Sequence, residues 1–192
     1  NPDLAPERAR SIDAGVTWRT RNLTLSVGAF ASWYSDLIVY ELFPPAAVKP
    51  FNVGAARILG IEVQAVASLP LGLTGELAYT GLQSTNTRPG TLEGHSLPYR
   101  PPHRLFLRLA HHAGRFESYA EGNATSSMPR NQFDTAFLPA QLLLNAGVGA
   151  RVAGPLWIDL DAKNLLNDRT LQDLFQYPLP GFSLSVVARA RL

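Results

Sequence analysis

The side chains best suited to metal or acid–base chemistry are four histidines, and their spacing argues against a shared site. His111 and His112 are adjacent, and neighbouring residues of a strand point to opposite faces, so the two cannot readily bind one ion. His103 begins a segment with strand character, whereas His95 lies in the middle of a long connection. His95 is therefore the candidate for a metal or haem ligand, against the simpler alternative of a solvated loop side chain. We predict no metal site and no cofactor.

A nucleophilic hydrolase site would need a serine, a histidine and an acid within hydrogen-bonding reach of one another. Ser96 follows His95, and Glu93 is close by. Three near neighbours in a flexible connection do not make a triad, and the sequence contains no Gly-x-Ser-x-Gly turn. The sequence therefore predicts no catalytic residue and no enzyme.

The elements that carry these residues are segments in which apolar and polar side chains alternate. Such alternation puts an apolar and a charged face on one strand, as in the last segment, whose apolar positions are Phe182, Leu184, Val186, Ala188, Ala190 and Leu192. In the segment before it, Asp159 and Asp161 share the polar face, and we expect them to form charge pairs with Arg151 and Lys163. About nine such segments follow one another, most of them long enough to cross a bilayer as tilted strands. This pattern is typical of an outer-membrane barrel with lipid outside and water inside.

The connections between these segments alternate between short and long. Tight turns rich in suitable residues are expected at residues 20–22, 70, 113–114 and 153–155. Long connections run approximately over residues 43–55, 84–101, 126–139 and 167–181. Outer-membrane barrels have short periplasmic turns and long outer loops, so we expect the chain to start outside the cell and end in the periplasm. The resulting odd strand number, where bacterial barrels have an even one, predicts that strands are missing upstream.

Composition agrees with a membrane barrel. Of the 192 residues 46% are hydrophobic and 17% charged, whereas about a quarter of a soluble domain is charged. No run approaches the roughly 18 apolar residues of a spanning helix. A net charge of +2, with basic residues scattered among acidic ones, argues against a nucleic-acid partner. A soluble antiparallel sandwich is the alternative, but its strands would be shorter and its connections less regular.

Five short stretches supply a further, independent indication: NPDLAPERARSIDAGV at 1–16, NVGAARILGIE at 52–62, LPYRPPHRL at 97–105, AKNLLNDR at 162–169 and YPLPG at 177–181. In this order, over nearly the whole chain, they resemble the late barrel strands of TonB-dependent outer-membrane receptors. The chain departs from that pattern in three places. Phe182 replaces the usual arginine after Pro-Gly, Thr170 or Leu171 stands where an aromatic residue is usual, and Leu192 ends the chain where an aromatic residue is common.

The resemblance implies an all-β fold, an antiparallel transmembrane β-barrel portion of about nine meandering strands, open or incompletely closed. Residues 1–192 would be the C-terminal segment of the barrel, about nine of roughly 22 strands, without the plug domain and the N-terminal strands. It also implies a place in the outer membrane of a Gram-negative bacterium and uptake of a scarce nutrient: a ferric siderophore, cobalamin or haem. The implied partners are outer-membrane lipid, the missing plug and upstream strands, the TonB-ExbB-ExbD energy-coupling system and the small-molecule nutrient.

Two other functions stay open for such a barrel. A passive porin-like or adhesin barrel would lack the ordered receptor stretches, and an outer-membrane hydrolase would need the catalytic set that the sequence does not predict. In the receptor family the ligand lies between the plug and the outer loops, and arginine and aromatic side chains suit an anionic, planar ligand. The alternative is that these side chains are solvated or form an aromatic belt at headgroup level. The candidate ligand-binding residues are Tyr99, Arg100, Arg130, Asn131, Arg169, Phe175 and Tyr177.

Overall fold

A computed structural model of the chain describes residues 3–43, 47–52, 54–169 and 177–190. The strands, in chain order, are β1 (Arg8–Arg19), β2 (Leu23–Ser35), β3 (Ile38–Phe43), β4 (Ala47–Asn52), β5 (Ala55–Leu69), β6 (Leu73–Asn86), β7 (His103–Ala113), β8 (Phe116–Thr125), β9 (Met128–Pro129), β10 (Phe137–Leu138), β11 (Gln141–Ala153), β12 (Leu156–Lys163) and β13 (Ser183–Ala190). Nine of them form one sheet in the order β1-β2-β5-β6-β7-β8-β11-β12-β13, each antiparallel to its neighbour. The predicted open meander of about nine strands is therefore confirmed, with β1 and β13 at its two edges.

The register of the sheet separates apolar from polar side chains, as the alternation predicts. In one apolar row Val148 lies opposite Leu160, which lies opposite Val186. These side chains are exposed rather than packed against a second layer: Val186 is 67% and Leu107 46% exposed. A soluble sandwich would bury them between two sheets, whereas a barrel turns them towards lipid. Within the described residues no helix is long and apolar enough to cross a membrane.

The polar face carries the carboxylates of the nine strands, which are Asp13, Glu62, Glu76, Glu117, Glu121, Asp159 and Asp161. It also carries aromatic side chains, among them Phe30, which packs over Gly60. Phe30 then contacts a buried apolar cluster made of Leu37, Ala56, Ile58 and Leu97. Leu97 comes from the long connection after β6, so this cluster fastens an outer connection to the inner side of the wall.

One local expectation was wrong. The connection expected at 43–55 contains strand β4, which pairs with β3 as a hairpin, and β5 already begins at Ala55. The tight turn expected at 70 is a 3-10 turn, Pro70–Gly72, in which Leu71 has a φ of +62° and an exposure of 85%. Pro70 has no N–H for the ladder, and Gly72 at φ +73° has no room for a Cβ beside the backbone of His112. The strand must therefore turn here.

Asn164, from the fourth of the five stretches, fastens the last outer connection. Its side chain is 3% exposed and its backbone has a φ of +50°. The Nδ2 group donates to the carbonyl oxygens of Asp168 (2.9 Å) and Pro180 (3.1 Å), and Oδ1 accepts the N–H of Asp168 (3.1 Å). The backbone N–H of Asn164 donates to Oδ1 of Asn145 on β11 at 3.0 Å. One side chain thus holds both ends of the connection beyond β12.

Asn52, from the second stretch, has the same role at the other side of the sheet. Its Oδ1 accepts the N–H of Ala5 at 2.9 Å, and its Nδ2 donates to the carbonyl oxygens of Ala5 and Asp36. These contacts join the segment before β1, the end of β2 and the hairpin strand β4. Asparagine suits both places because its amide is a donor and an acceptor at once.

Two adjacent valines of β13 allow a test of which face meets lipid. Val186 lies opposite Leu160, and Val187 lies opposite Asp159. An arginine at mid-bilayer on the lipid face costs roughly 2–4 kcal/mol, whereas lumen positions are wet. In a complete barrel containing this chain, Val186→Arg should lower the folded fraction in liposomes, measured by heat-modifiable electrophoretic migration, and Val187→Arg should fold nearly as the wild type does. Equal losses in both variants would contradict the assignment of the faces.

The hydrogen bonds of Asn164 predict a stability cost. Asn164→Ala should lower the free energy of unfolding of a complete barrel by about 2–4 kcal/mol, because buried carbonyl and N–H groups lose their partner and alanine tolerates a positive φ poorly. Urea unfolding followed by tryptophan fluorescence measures this. Asn123→Ala, at an exposed position of β8, is the matched control and should cost little. Asn164→Asp keeps the acceptor but loses the donor and should fall between the two.

Candidate ligand-binding site

The connection between β6 and β7 is folded against the sheet and against the next outer connection. Leu97 is 1% exposed, its N–H donates to the carbonyl of Ser84 at 3.4 Å, and the N–H of Asn86 donates to the carbonyl of His95 at 2.8 Å. Tyr99 has a φ of +59°, and its N–H donates to the carbonyl of Pro129 at 2.8 Å. Tyr99 and its neighbour Arg100 are therefore held close to residues 128–130 of the following connection.

The connection between β8 and β11 is shaped by the short pair β9 and β10. The N–H of Arg130 donates to the carbonyl of Ala136 at 2.8 Å. Inside this turn Oδ1 of Asn131 accepts the N–H groups of Phe133 and Thr135, both at 3.2 Å, and its Nδ2 donates to the Thr135 hydroxyl at 2.8 Å. The Asn131 amide is thus used to form the turn that presents Arg130 and Asp134.

His95 and Asp134 join the two connections to each other. Nδ1 of His95 lies 3.5 Å from Oδ2 of Asp134, and the same oxygen accepts the N–H of Ser96 at 3.0 Å. Oδ1 of Asp134 and Nε of Arg130 are buried and have no hydrogen-bond partner among the described residues. Nearly all buried polar atoms in proteins are paired, so these two mark the joint as a place that can bind a polar group. The sequence analysis did not identify Asp134, because nothing in the residues around it indicates that it contacts His95.

The candidate residues fall into two groups. Contacts between the two connections bring together Tyr99, Arg100, Arg130 and Asn131. Arg169 lies in the last outer connection, where its Nε is 3.5 Å from Oδ1 of Asn167 and its side chain lies beside Gly181. Tyr177, in the same connection, is 70% exposed. Phe175 lies outside the described residues.

The inner wall carries a second polar group, here called the wall network, made of Arg108, Glu117, Tyr119, Glu121, Asp159, Asp161 and Arg189. Arg189 on β13 pairs with Asp159 at 2.9 Å and reaches past β12 and β11 to Glu117 on β8 at 2.8 Å. Tyr119 donates to Asp161 at 2.7 Å. Arg108 pairs with Glu121 at 2.7 Å and lies over the Tyr119 ring at 4.3 Å. Contacts past intervening strands are expected on the inner, concave face of a barrel.

Glycines of β11 make these crossings possible. A Cβ on Gly149 would overlap the carboxylate of Asp159, and a Cβ on Gly147 would overlap both Tyr119 and Asp161. Charge pairs of the two aspartates with Arg151 and Lys163 were expected. Asp159 instead pairs with Arg189, and Asp161 accepts a hydrogen bond from Tyr119, whereas Arg151 lies opposite Trp157. The contact of Arg189 with Glu117, two residues 72 positions apart in the sequence, crosses β11 and depends on the bare surface of Gly147 and Gly149.

No three His, Cys, Asp or Glu side chains among the described residues cluster as a metal site would require. His95 is paired with Asp134, and Ser96 contributes its backbone N–H to the same carboxylate.

Comparison with known proteins agrees with this fold. A family profile described as TonB dependent receptor-like, beta-barrel matches residues 1–165. No curated protein sequence matches the chain. Solved structures similar to it include the ferric citrate transporter FecA in its unliganded form (19% identity, TM-score 0.80), a ferric enterobactin receptor of Pseudomonas aeruginosa (18%, 0.77) and the copper transporter OprC (16%, 0.76).

The similarity covers nearly all of this chain but a minor part of each relative. It spans 95%, 99% and 95% of the chain and 31%, 32% and 31% of the ferric citrate transporter, the enterobactin receptor and the copper transporter, respectively. The structural neighbours establish the barrel fold, and the profile match extends over most of the sequence. The chain belongs to the family of TonB-dependent receptor β-barrels.

Proposed function

We propose that this chain forms part of the barrel of an outer-membrane receptor that takes up a ferric siderophore by TonB-dependent transport. The observation that carries the proposal is the joint between two outer connections, where the buried Nε of Arg130 and Oδ1 of Asp134 lack partners among the described residues. The similarity to transporters for ferric citrate and ferric enterobactin supports the same class of ligand. Cobalamin and haem are the other nutrients that a receptor of this family could carry.

The chemistry of the joint suits an anionic iron chelate. Hydrogen bonds from a guanidinium to an anionic oxygen are about twice as strong as neutral ones, and an aromatic ring can stack on a planar ligand. Tyr99 and Arg100 come from one connection and Arg130 and Asn131 from the next, so a ligand at the joint could contact both. Arg169 and Tyr177 would approach it from the last outer connection.

The rest of the receptor is part of the proposal. The remaining strands would pair with the free edges of β1 and β13, and a plug domain would lie against the polar wall. The barrel would reside in the outer membrane of a Gram-negative bacterium, and the plug would connect it to the TonB-ExbB-ExbD system. These parts would supply the gating and the coupling to an energy source.

The joint can be tested by uptake of radioactive iron. A Gram-negative host without its own siderophore receptors would produce the complete receptor, and ferric citrate and ferric enterobactin would be supplied in turn. One of these chelates should be taken up, and a protonophore should abolish the uptake. Arg130→Ala should raise the half-saturating concentration about tenfold, because a charge-assisted hydrogen bond is worth about 1.5–3 kcal/mol.

Arg115→Ala is the matched control, since Arg115 is exposed in the short turn between β7 and β8, away from the outer connections. It should leave uptake unchanged. Uptake that persists with the protonophore would favour the passive porin-like alternative. Failure of both chelates, followed by uptake of cobalamin or haem, would change the substrate and leave the transport mechanism in place.

The free edges predict how the 192-residue chain behaves alone. Unpaired backbone groups in hydrocarbon cost several kcal/mol each, and exposed edges join other chains. The isolated chain in liposomes should therefore aggregate and take up no ferric citrate or ferric enterobactin, whereas the complete receptor should give a protease-resistant, heat-modifiable monomer. A monomeric, protease-resistant isolated chain would contradict the open-edge interpretation.

A further inference from the structure

Charged residues are distributed unevenly over the two faces of the nine-stranded sheet. All of its carboxylates lie on the polar face, as do most of its basic residues. Three arginines in the described strands lie on the apolar face instead, namely Arg8, Arg10 and Arg57. All three are exposed and stand at the outer ends of β1 and β5. This outer-rim arginine cluster needs a physical reason, because a charge facing lipid is costly.

The register places the three arginines around one tryptophan. Arg10 of β1 lies opposite Trp33 of β2, and Trp33 lies opposite Arg57 of β5. Neighbouring strands are about 4.8 Å apart, so Arg10 and Arg57 flank Trp33 at a Cα separation of about 10 Å. Arg8 is two residues further out on the face of Arg10. Trp33 itself is 48% exposed.

The depth of the cluster corresponds to the outer boundary of the membrane. On β1 the same face continues from Arg10 through Ile12, Ala14 and Val16 to Trp18 at the turn end. Eight residues at about 3.3 Å each, tilted by about 40°, span about 20 Å, close to the roughly 25 Å height of a barrel's apolar band. Trp33 and Trp18 lie at the two ends of this span, where aromatic residues mark headgroup level.

The partner that fits the cluster is an anionic headgroup. No ion pair within the described residues involves Arg8, Arg10 or Arg57. The planar fork of arginine binds phosphate with two parallel hydrogen bonds, and an indole ring between two such groups can pack against sugar or acyl carbons. We infer that the outer-rim arginine cluster binds the phosphate groups of a phosphorylated glycolipid, lipid A, in the outer leaflet. This inference rests on the outer-membrane location in the proposed function.

The glycolipid is favoured over a phospholipid by its place and its charge. The cluster stands at the end of the wall that bears the long outer connections, which is the side of the outer leaflet. Three arginines within about 12 Å of one another suit a headgroup with two phosphates better than a single phosphodiester, because each phosphate can then bind a guanidinium of its own. Anionic phospholipid remains a separate outcome of the test.

The test measures the lipid A that stays bound to the complete receptor. Receptor purified from outer membranes in mild detergent should retain lipid A, quantified by mass spectrometry per mole of protein. Arg10→Gln with Arg57→Gln should reduce the retained amount about tenfold. Arg21→Gln with Arg115→Gln changes the charge equally in the short turns at the opposite end and should change nothing. Heat-modifiable migration establishes that each variant is folded.

A second experiment uses only the wild-type receptor. Wild-type receptor in nanodiscs should bind bisphosphorylated lipid A and lose this binding when the lipid is dephosphorylated. Equal binding of the dephosphorylated form, equal binding of phosphatidylglycerol, or unchanged retention by the folded Arg10/Arg57 double variant would each overturn the inference. Wild-type receptor that fails to enter the outer membrane would instead overturn the proposed function, because lipid retention is measured independently of uptake.

Discussion

Lipid offers no hydrogen-bond partner to a backbone N–H or carbonyl, and this constraint decides most of the architecture. A strand in hydrocarbon must therefore be paired along its whole length with its neighbours. The nine strands meet that demand with continuous antiparallel registers of up to 14 residue pairs, as between β5 and β6. Side chains are then free to differ on the two faces, and the sequence uses that freedom through strict alternation. Irregular backbone lies at the ends of the strands, where water or a folded connection can form hydrogen bonds with its N–H and carbonyl groups.

Those ends are held by a small number of polar side chains that each serve several backbone groups. Asn52 and Asn164 bind donors and acceptors from segments that the sheet alone would leave apart. His95 and Asp134 join the two central outer connections in the same way. The buried Leu97 adds an apolar anchor on the inner side of the wall. The outer connections acquire a defined shape through these few contacts.

The alternation of residue types made the strands and their faces predictable, because a two-residue period is a local property of the sequence. It put Val186 and Leu107 on one face of the sheet and Arg189 on the other, and the register confirms this division. The hairpin of β3 and β4 was missed because Pro44, Pro45 and Pro50 favour a loop when read locally. The pairing of His95 with Asp134 could not be predicted either, since 38 residues separate Ser96 from Asp134 and only the folded connections bring them together.

The glycines of β11 have a mechanical consequence. Because Gly147 and Gly149 leave the inner surface of one strand bare, Tyr119 and Glu117 of β8 are tied directly to Asp161 of β12 and Arg189 of β13. Sliding β8 along its axis relative to β12 and β13 would break these ties together, in addition to the ladders on both sides of β11. Because these side-chain contacts run diagonally across β11, this part of the wall resists shear more strongly than backbone pairing alone would allow. If a force acts on a barrel wall from inside, the wall would keep its shape best where such side-chain contacts cross it.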